Sequence, residues 1–284
     1  MSAAGPSAPD SWGEDDNARR YDAFTREYTI YQETSRDLIG LATPAADSAV
    51  LDLACGTGAT TREILAVLGP DGTVIGVDKS AAMLAAAASS VSDPRVTWIH
   101  ARAETVGQHV STPVDTVLCN SAIWQTDLAE TAVGVRAVIR ADGRFAFNVP
   151  TDFLADEHDP GWRVAEHSLV SEMRAIAERE YGWEPEVRTP RRPLTRESIR
   201  RLLAQAGFEV EQVAELAHQE SAESQHAWLR LPIFSRDQLR GVPYDDRMRI
   251  LDLACERLGP GDAEQARWTT FLARAIESRP GTRG

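Results

Sequence analysis

Between residues 49 and 149, short apolar runs alternate with helical stretches, and this alternation constrains the fold more than any other feature of the chain. The runs are 49–53, 73–77, 96–99, 115–119 and 144–149, and helical patterns fill 60–68, 81–89 and 128–139. Turn chemistry separates them, in Cys55-Gly56-Thr57-Gly58, Gly69-Pro70-Asp71-Gly72 and Ala141-Asp142-Gly143. Strands that are apolar throughout are strands covered on both faces, and strands joined through helices run parallel. The pattern predicts a doubly wound α/β sheet with right-handed crossovers and a ligand crevice at the carboxyl ends of its strands.

The remainder of the chain reads as additions to that sheet. Residues 1–11 are mostly Ser, Ala, Gly and Pro with little to bury, and are expected to be a disordered lead. Residues 12–44 form a helical lid, a single helix to about residue 41, with Tyr21, Phe24, Tyr28 and Tyr31 on one face. Those four rings serve either as core packing or as a cover over a ligand. The core of the domain spans 45–150. After Pro150 the alternation stops, and 151–193 reads as a cap insertion with a helix over 164–180 and a Pro/Arg-rich link. Residues 194–217 return to the core as a helix to Ala206 and a strand from Phe208. Residues 218–262 are cap helices, at 221–230 and 244–258, and 263–284 hold a final strand and tail, with a helix at 265–276 as the alternative. The fold class is thus Rossmann-like: a doubly wound, mostly parallel seven-stranded sheet with helical cap insertions. There are no internal repeats.

Composition narrows the function classes. Hydrophobic residues make up 43% of the 284, enough for a full core. Acidic residues number 43 against 30 basic, a net charge of -13, which disfavours nucleic acid and anionic membrane surfaces as partners. Cys55, Cys119 and Cys255 lie far apart, giving neither a disulfide framework nor a zinc site, and no metal site is expected. No apolar run approaches ~18 residues, and the N-terminus lacks a secretory signal, so the expected location is cytoplasmic.

The chemistry concentrates at the first strand's end. The strand delivers Asp52 to a turn whose two glycines let backbone approach a ligand, and the next helix offers free N–H groups. Asp78, at the end of the second strand, can accept both hydroxyls of a ribose. Together these make a nucleoside site. The dinucleotide fingerprint G-x-G-x-x-G is incomplete, because Thr61 stands at its third position.

At this point VLDLACGTG resembles the first motif of class I S-adenosylmethionine-dependent methyltransferases. The likeness continues in GVDKSAAML, WIHARAE, DTVLCNSAIWQTD and ADGRFAFNVP, in order, over residues 45–150. It is nearest to the small-molecule, natural-product type, including enzymes that methylate a prenyl side-chain carbon. The resemblance implies S-adenosyl-L-methionine as cofactor and assigns roles. Asp52 would fix the turn and orient the methionine amino group. Ala54, where the family often has glycine, would line the methionine and ribose with Gly56 and Gly58. Asp78 would hold the ribose diol, Lys79 and Met83 would flank the adenine, and Ala103 would lie at its edge. Arg102 stands where an aspartate commonly takes the adenine amino group, which leaves Glu104 as the substitute. Asn120 and Ser121 would lie near the methyl donor. Tyr21 or Tyr28 would reach the active site from the lid. His158 and His167 are the candidate bases for an acceptor that must lose a proton.

The expected reaction is methyl transfer to the carbon, oxygen or nitrogen of a small, largely apolar secondary metabolite, by an enzyme that can be a homo-oligomer. Two alternatives stay open on sequence: an NAD-type oxidoreductase on a similar sheet, disfavoured by the missing third glycine, and a methyltransferase-like binding protein without turnover.

Overall fold

The computed structural model describes residues 15–155, 168–185, 194–259 and 264–276. Its centre is one seven-stranded sheet in the order β3-β2-β1-β4-β5-β7-β6. The strands are β1 (Ala49–Leu53), β2 (Thr73–Asp78), β3 (Val96–His100), β4 (Val114–Cys119), β5 (Ile139–Pro150), β6 (Phe208–Glu220) and β7 (Glu264–Ala275). The first five run parallel, and β7 lies antiparallel between β5 and β6. Residues 264–275 are thus a strand rather than a helix. The chain winds outward from β1 in both directions, so the crevice opens where β1 and β4 part, above their carboxyl ends.

The period-2 side-chain alternation of a strand separates the two cores. On β1, Leu51 and Leu53 face a cluster with Val117, Phe145, Phe147 and Phe271, closed by Leu128, Val135, Ile199 and Leu203. Val50 faces the other way, toward Val74, Leu118, Ala146, Leu38, Ile39 and Ile64. The covering helices are α5 (Leu128–Val138) and α7 (Arg196–Gln205) on the first face, and α2 (Ile30–Ala42) and α3 (Ala59–Val67) on the second. Their starts are set locally: Asp127 caps α5 by accepting the Glu130 N–H, and Thr195 and Ser198 form a reciprocal capping box on α7.

Beyond the sheet, α4 (Ala81–Ser90) follows β2, and α1 (Asp15–Glu27) packs near it. The cap holds α6 (Leu169–Tyr181), α8 (Ala222–Leu229), α9 (Pro232–Gln238) and α10 (Tyr244–Leu258). A separate apolar cluster of Met173, Ile176, Leu239, Ile250 and Leu251 joins α6 to α10. Among the described residues no helix is long and apolar enough to cross a membrane.

Three expectations change. The single N-terminal helix is two, α1 and α2, broken at Tyr28-Thr29, where the Thr29 hydroxyl donates to the Glu33 carboxylate at 2.8 Å. In an unbroken helix Tyr21 and Tyr31 would stand about 15 Å apart along the axis. The break brings their ring centroids to 5.6 Å. Residues 141–143 do not end one element and start another. They form an irregularity inside β5, with Asp142 at φ 59° and a register shift against β4. Helix α9 has no counterpart among the expected helices. The lead at 1–11, the start of the lid at residue 12, residues 164–167 of the expected cap helix and the tail beyond residue 276 lie outside the described residues.

Candidate active site

The site begins as backbone. Past Leu53 the chain turns through three left-handed residues, Ala54 (φ 57°), Gly56 (φ 54°) and Gly58 (φ 81°), before α3. The Cys55 N–H donates to the Val77 carbonyl at 3.0 Å, and the Gly58 N–H to the Cys55 carbonyl at 2.9 Å. Left-handed backbone costs an L-residue energy that glycine avoids, so Gly56 and Gly58 belong here and Ala54 is held under strain.

Two carboxylates anchor this turn. Asp52 is buried beneath it and accepts the Thr61 hydroxyl at 2.6 Å. Burial pushes its pKa up to about 7, outweighing the Thr61 bonds, with the Asp78 charge adding to the rise. Asp78 accepts the Gly56 N–H at 2.9 Å through one oxygen and the Ser80 N–H at 2.8 Å through the other. Burial raises its pKa too, against the pull of those two N–H groups. Each Asp78 oxygen keeps a lone pair, and the side chain faces a cavity.

That cavity encloses about 710 Å³ of space, open solvent at its mouth included. Ala54, Gly56, Asp78, Lys79 and Met83 form one part of its wall, and Ala101, Arg102, Ala103 and Glu104 the next. Asn120, Ser121, Gln125 and Thr126 close the far side, and Tyr21 covers it from α1. Glu104 accepts the Asp127 N–H and the Arg102 guanidinium, each at 3.1 Å through the same oxygen. Burial pulls Glu104 upward, but its own N–H, that of Asp127 and Arg102 together hold it below the ordinary range.

The far wall is a side-chain network. Asn148 is fully buried, donates to the Asn120 side-chain oxygen at 2.8 Å and accepts the Ser121 N–H at 2.6 Å. The Asn120 amide nitrogen donates in turn to the Tyr31 carbonyl, the Thr34 hydroxyl and the Ser35 hydroxyl on α2. Ser121 sits at φ 50° with its hydroxyl accepting the Trp268 indole N–H at 3.0 Å. Above it, Tyr21, Tyr31, Trp228 and Phe234 gather from α1, α2, α8 and α9 around Phe24 and Trp268.

The structure brings most of the expected residues to one place. Tyr21, Ala54, Gly56, Asp78, Lys79, Met83, Ala103, Glu104, Asn120 and Ser121 all line the cavity. Asp52 and Gly58 do not. A Cβ on Gly58 would meet the Trp98 ring at 3.2 Å, with Val91 and Ala87 behind it, so this glycine serves packing under the turn rather than a ligand's approach. Tyr28 packs on Phe24 with ring centroids 5.0 Å apart, away from the cavity wall. His158 and His167 lie outside the described residues.

Sequence reasoning missed Trp98, Gly76, Asn148, Trp268 and the cavity-lining Gln125 and Thr126. Gly76 pairs with Trp98 across β2 and β3, and a Cβ there would enter the Trp98 ring. A glycine inside an apolar strand run was the available signal for that close approach. Nothing in the sequence pointed to Trp268.

A family model described as a methyltransferase domain matches residues 50–143. The chain is 28% identical to a nocamycin O-methyltransferase of Saccharothrix syringae over 134 residues, 46% of this chain and 47% of that protein. It thus spans about half the length of this curated relative. Among solved structures, the cyclopropane synthase MmaA2 of Mycobacterium tuberculosis superposes with a TM-score of 0.57 at 18% identity, covering 92% of this chain and 94% of that one. A Haemonchus contortus phosphoethanolamine N-methyltransferase, solved with S-adenosylhomocysteine, gives 0.55 at 16% identity, covering 93% of this chain and 58% of the other. These likenesses share the fold, and the family match covers the turn, Asp78 and the cavity wall to β4 and beyond. Residues 50–143 are thus similar to a methyltransferase domain, and the fold is one that solved methyltransferase structures share.

Proposed function

We propose that the chain transfers a methyl group from S-adenosylmethionine to a small, largely apolar acceptor of the secondary-metabolite class, at carbon, oxygen or nitrogen. The observation that carries this reading is Asp78: a buried carboxylate at the end of β2, oriented by two backbone N–H groups and lining the cavity. A carboxylate with a raised pKa gains most from further donors, and a ribose diol supplies two. The rest of the wall fits the same group. Met83 and Ala103 offer apolar surfaces to a flat base, the second Glu104 oxygen can take its amino group, and Asn120 and Ser121 present polar atoms to the opposite end.

The bound cofactor supplies a methyl group already activated on a sulfonium. The chain's own residues therefore have to align donor and acceptor and keep water out. Gly56 lets the turn approach the ligand, and Tyr21 lies over it as a cover whose ring face tolerates positive charge. Burial raises the Tyr21 pKa well above its ordinary value, so its phenol stays protonated and takes no proton from an acceptor. An acceptor that must lose a proton needs another group, and His158 and His167 are the candidates. The acceptor class rests on the aromatic residues of α1, α2, α8 and α9 and on the natural-product O-methyltransferase relative.

Titration calorimetry tests the cofactor first: S-adenosylmethionine should bind and NAD should not. Turnover to S-adenosylhomocysteine with a library of apolar phenols, amines and alkenes then tests the reaction. NAD binding in place of S-adenosylmethionine would overturn the reading, and binding without turnover across the library would reduce the chain to a binding protein.

A further inference from the structure

Tyr31 lies outside the cavity wall, yet it touches both the cavity and the cap. Its hydroxyl is buried, accepts the Trp228 indole N–H at 3.1 Å and is hydrogen-bonded to the Tyr21 hydroxyl, whose ring centroid lies 5.6 Å from its own. Its main-chain carbonyl accepts the Asn120 amide at 3.2 Å and the Ser35 hydroxyl at 2.6 Å. Tyr21 and Asn120 both line the cavity. Trp228 belongs to α8 and stacks on Phe234 of α9, centroids 3.9 Å apart and 13° from parallel. Phe234 in turn stands 6.3 Å from Tyr21. One residue of α2 thus holds a lid side chain, a wall side chain and a cap helix. Moving the Trp228 indole removes a donor from the oxygen that also fixes the Tyr21 hydroxyl.

We infer that Tyr31 is a positioning residue that couples the α8–α9 cap to the cavity, so that Trp228 influences ligand binding in a cavity it does not line. The inference rests on the reading of that cavity as the S-adenosylmethionine site. It assigns the tie to the Tyr31 oxygen rather than to the Tyr31 ring, because that atom meets the Tyr21 hydroxyl on the cavity side and the Trp228 N–H on the cap side.

The test uses the full chain with S-adenosylhomocysteine as probe, comparing wild type, Tyr31→Phe, Trp228→Phe and the double variant by calorimetry and intrinsic tryptophan fluorescence. Loss of one net hydrogen bond corresponds to roughly two- to tenfold in affinity. Tyr31→Phe should weaken binding by about that factor. Trp228→Phe should weaken it by about threefold despite lying outside the cavity wall. The double variant should be no weaker than Tyr31→Phe alone, because both changes remove the same tie. The wild-type emission change on binding should shrink in Tyr31→Phe, which keeps all seven tryptophans. Independent, additive effects would overturn the inference, as would a Trp228→Phe protein that binds as wild type. If Tyr31→Phe fails to fold, the Trp228→Phe affinity decides alone. A wild-type chain that binds no S-adenosylhomocysteine sinks the cofactor reading and this inference with it, whereas normal binding with an unaffected Trp228→Phe sinks only the inference.

Discussion

The two walls of the cavity are built differently. The wall from Ala54 to Glu104 is made by one continuous stretch of chain, in which left-handed backbone, a strand-end carboxylate and a short apolar helix follow one another. The cover and far wall are assembled from α1, α2, the ends of β4 and β5, α8, α9 and β7, through side-chain contacts between residues up to 197 positions apart. The first wall is specified by local geometry, so each residue has few alternatives. The second is specified by mutual contact, and its residues can change together. That contrast fits a wall meant for an invariant ligand facing one meant for a variable ligand.

If the first wall is set by backbone geometry, its glycines should be its most sensitive points. Gly76→Val should be the largest effect, a loss of about 3 kcal/mol in unfolding free energy, because the new side chain must displace the Trp98 ring lying on that backbone. Chemical denaturation would measure it, and a midpoint close to wild type would remove Trp98 from its assigned place. Asp78→Ala should follow, weakening S-adenosylmethionine binding by roughly ten- to a hundredfold, the equivalent of a charge-assisted hydrogen bond of about 1.5–3 kcal/mol. Unchanged affinity by calorimetry would detach Asp78 from the ligand.

Asp52 gives a pH-dependent test of the same wall. Its pKa stands at about 7 in the fold against 3.8 in an unstructured chain, so the folded protein binds the proton more tightly. Stability contributed by this group therefore falls as pH rises from about 4 to about 7 and is level beyond. Asp52→Asn, permanently neutral, should gain stability relative to wild type by roughly 2 kcal/mol between pH 5 and pH 7. Paired thermal melts across that range would show it, and a constant offset between the two proteins would contradict it. Ala54→Gly is the smallest change. Relief of the left-handed strain offsets the greater freedom of glycine when unfolded, leaving a net effect under about 1 kcal/mol. A destabilisation beyond that would mean the Ala54 methyl is a packing contact.

The same contrast explains what could be read from the sequence. The alternation of apolar runs and helices locates β1 to β4 within a residue and β5 from Arg144 onward, five residues after its start, and the Gly56–Gly58 turn with Asp78 locates the first wall. These features are legible because they lie within 30 residues and each has a local physical cause. Asn148, Trp268 and Trp228 are not legible, since what recruits them is a partner on another element. Tyr31 falls between. Its place in an aromatic row is visible, but its hydroxyl meets Tyr21 only because the helix breaks at Tyr28-Thr29, and no glycine or proline marks that break.

The insertion of β7 between β5 and β6 sets an order of events during synthesis. Strand β6 is complete at Glu220, but the strand that pairs with it along its whole length begins at Glu264. Ribosomes add about 5–20 residues per second, so β6 is synthesised about 2–9 seconds before the strand it pairs with. For that interval the backbone groups of β6 that pair with β7 lack their strand partner. The sheet is finished by filling its middle, not by adding to its rim, and the Trp268 that seals the cavity wall arrives with that last strand.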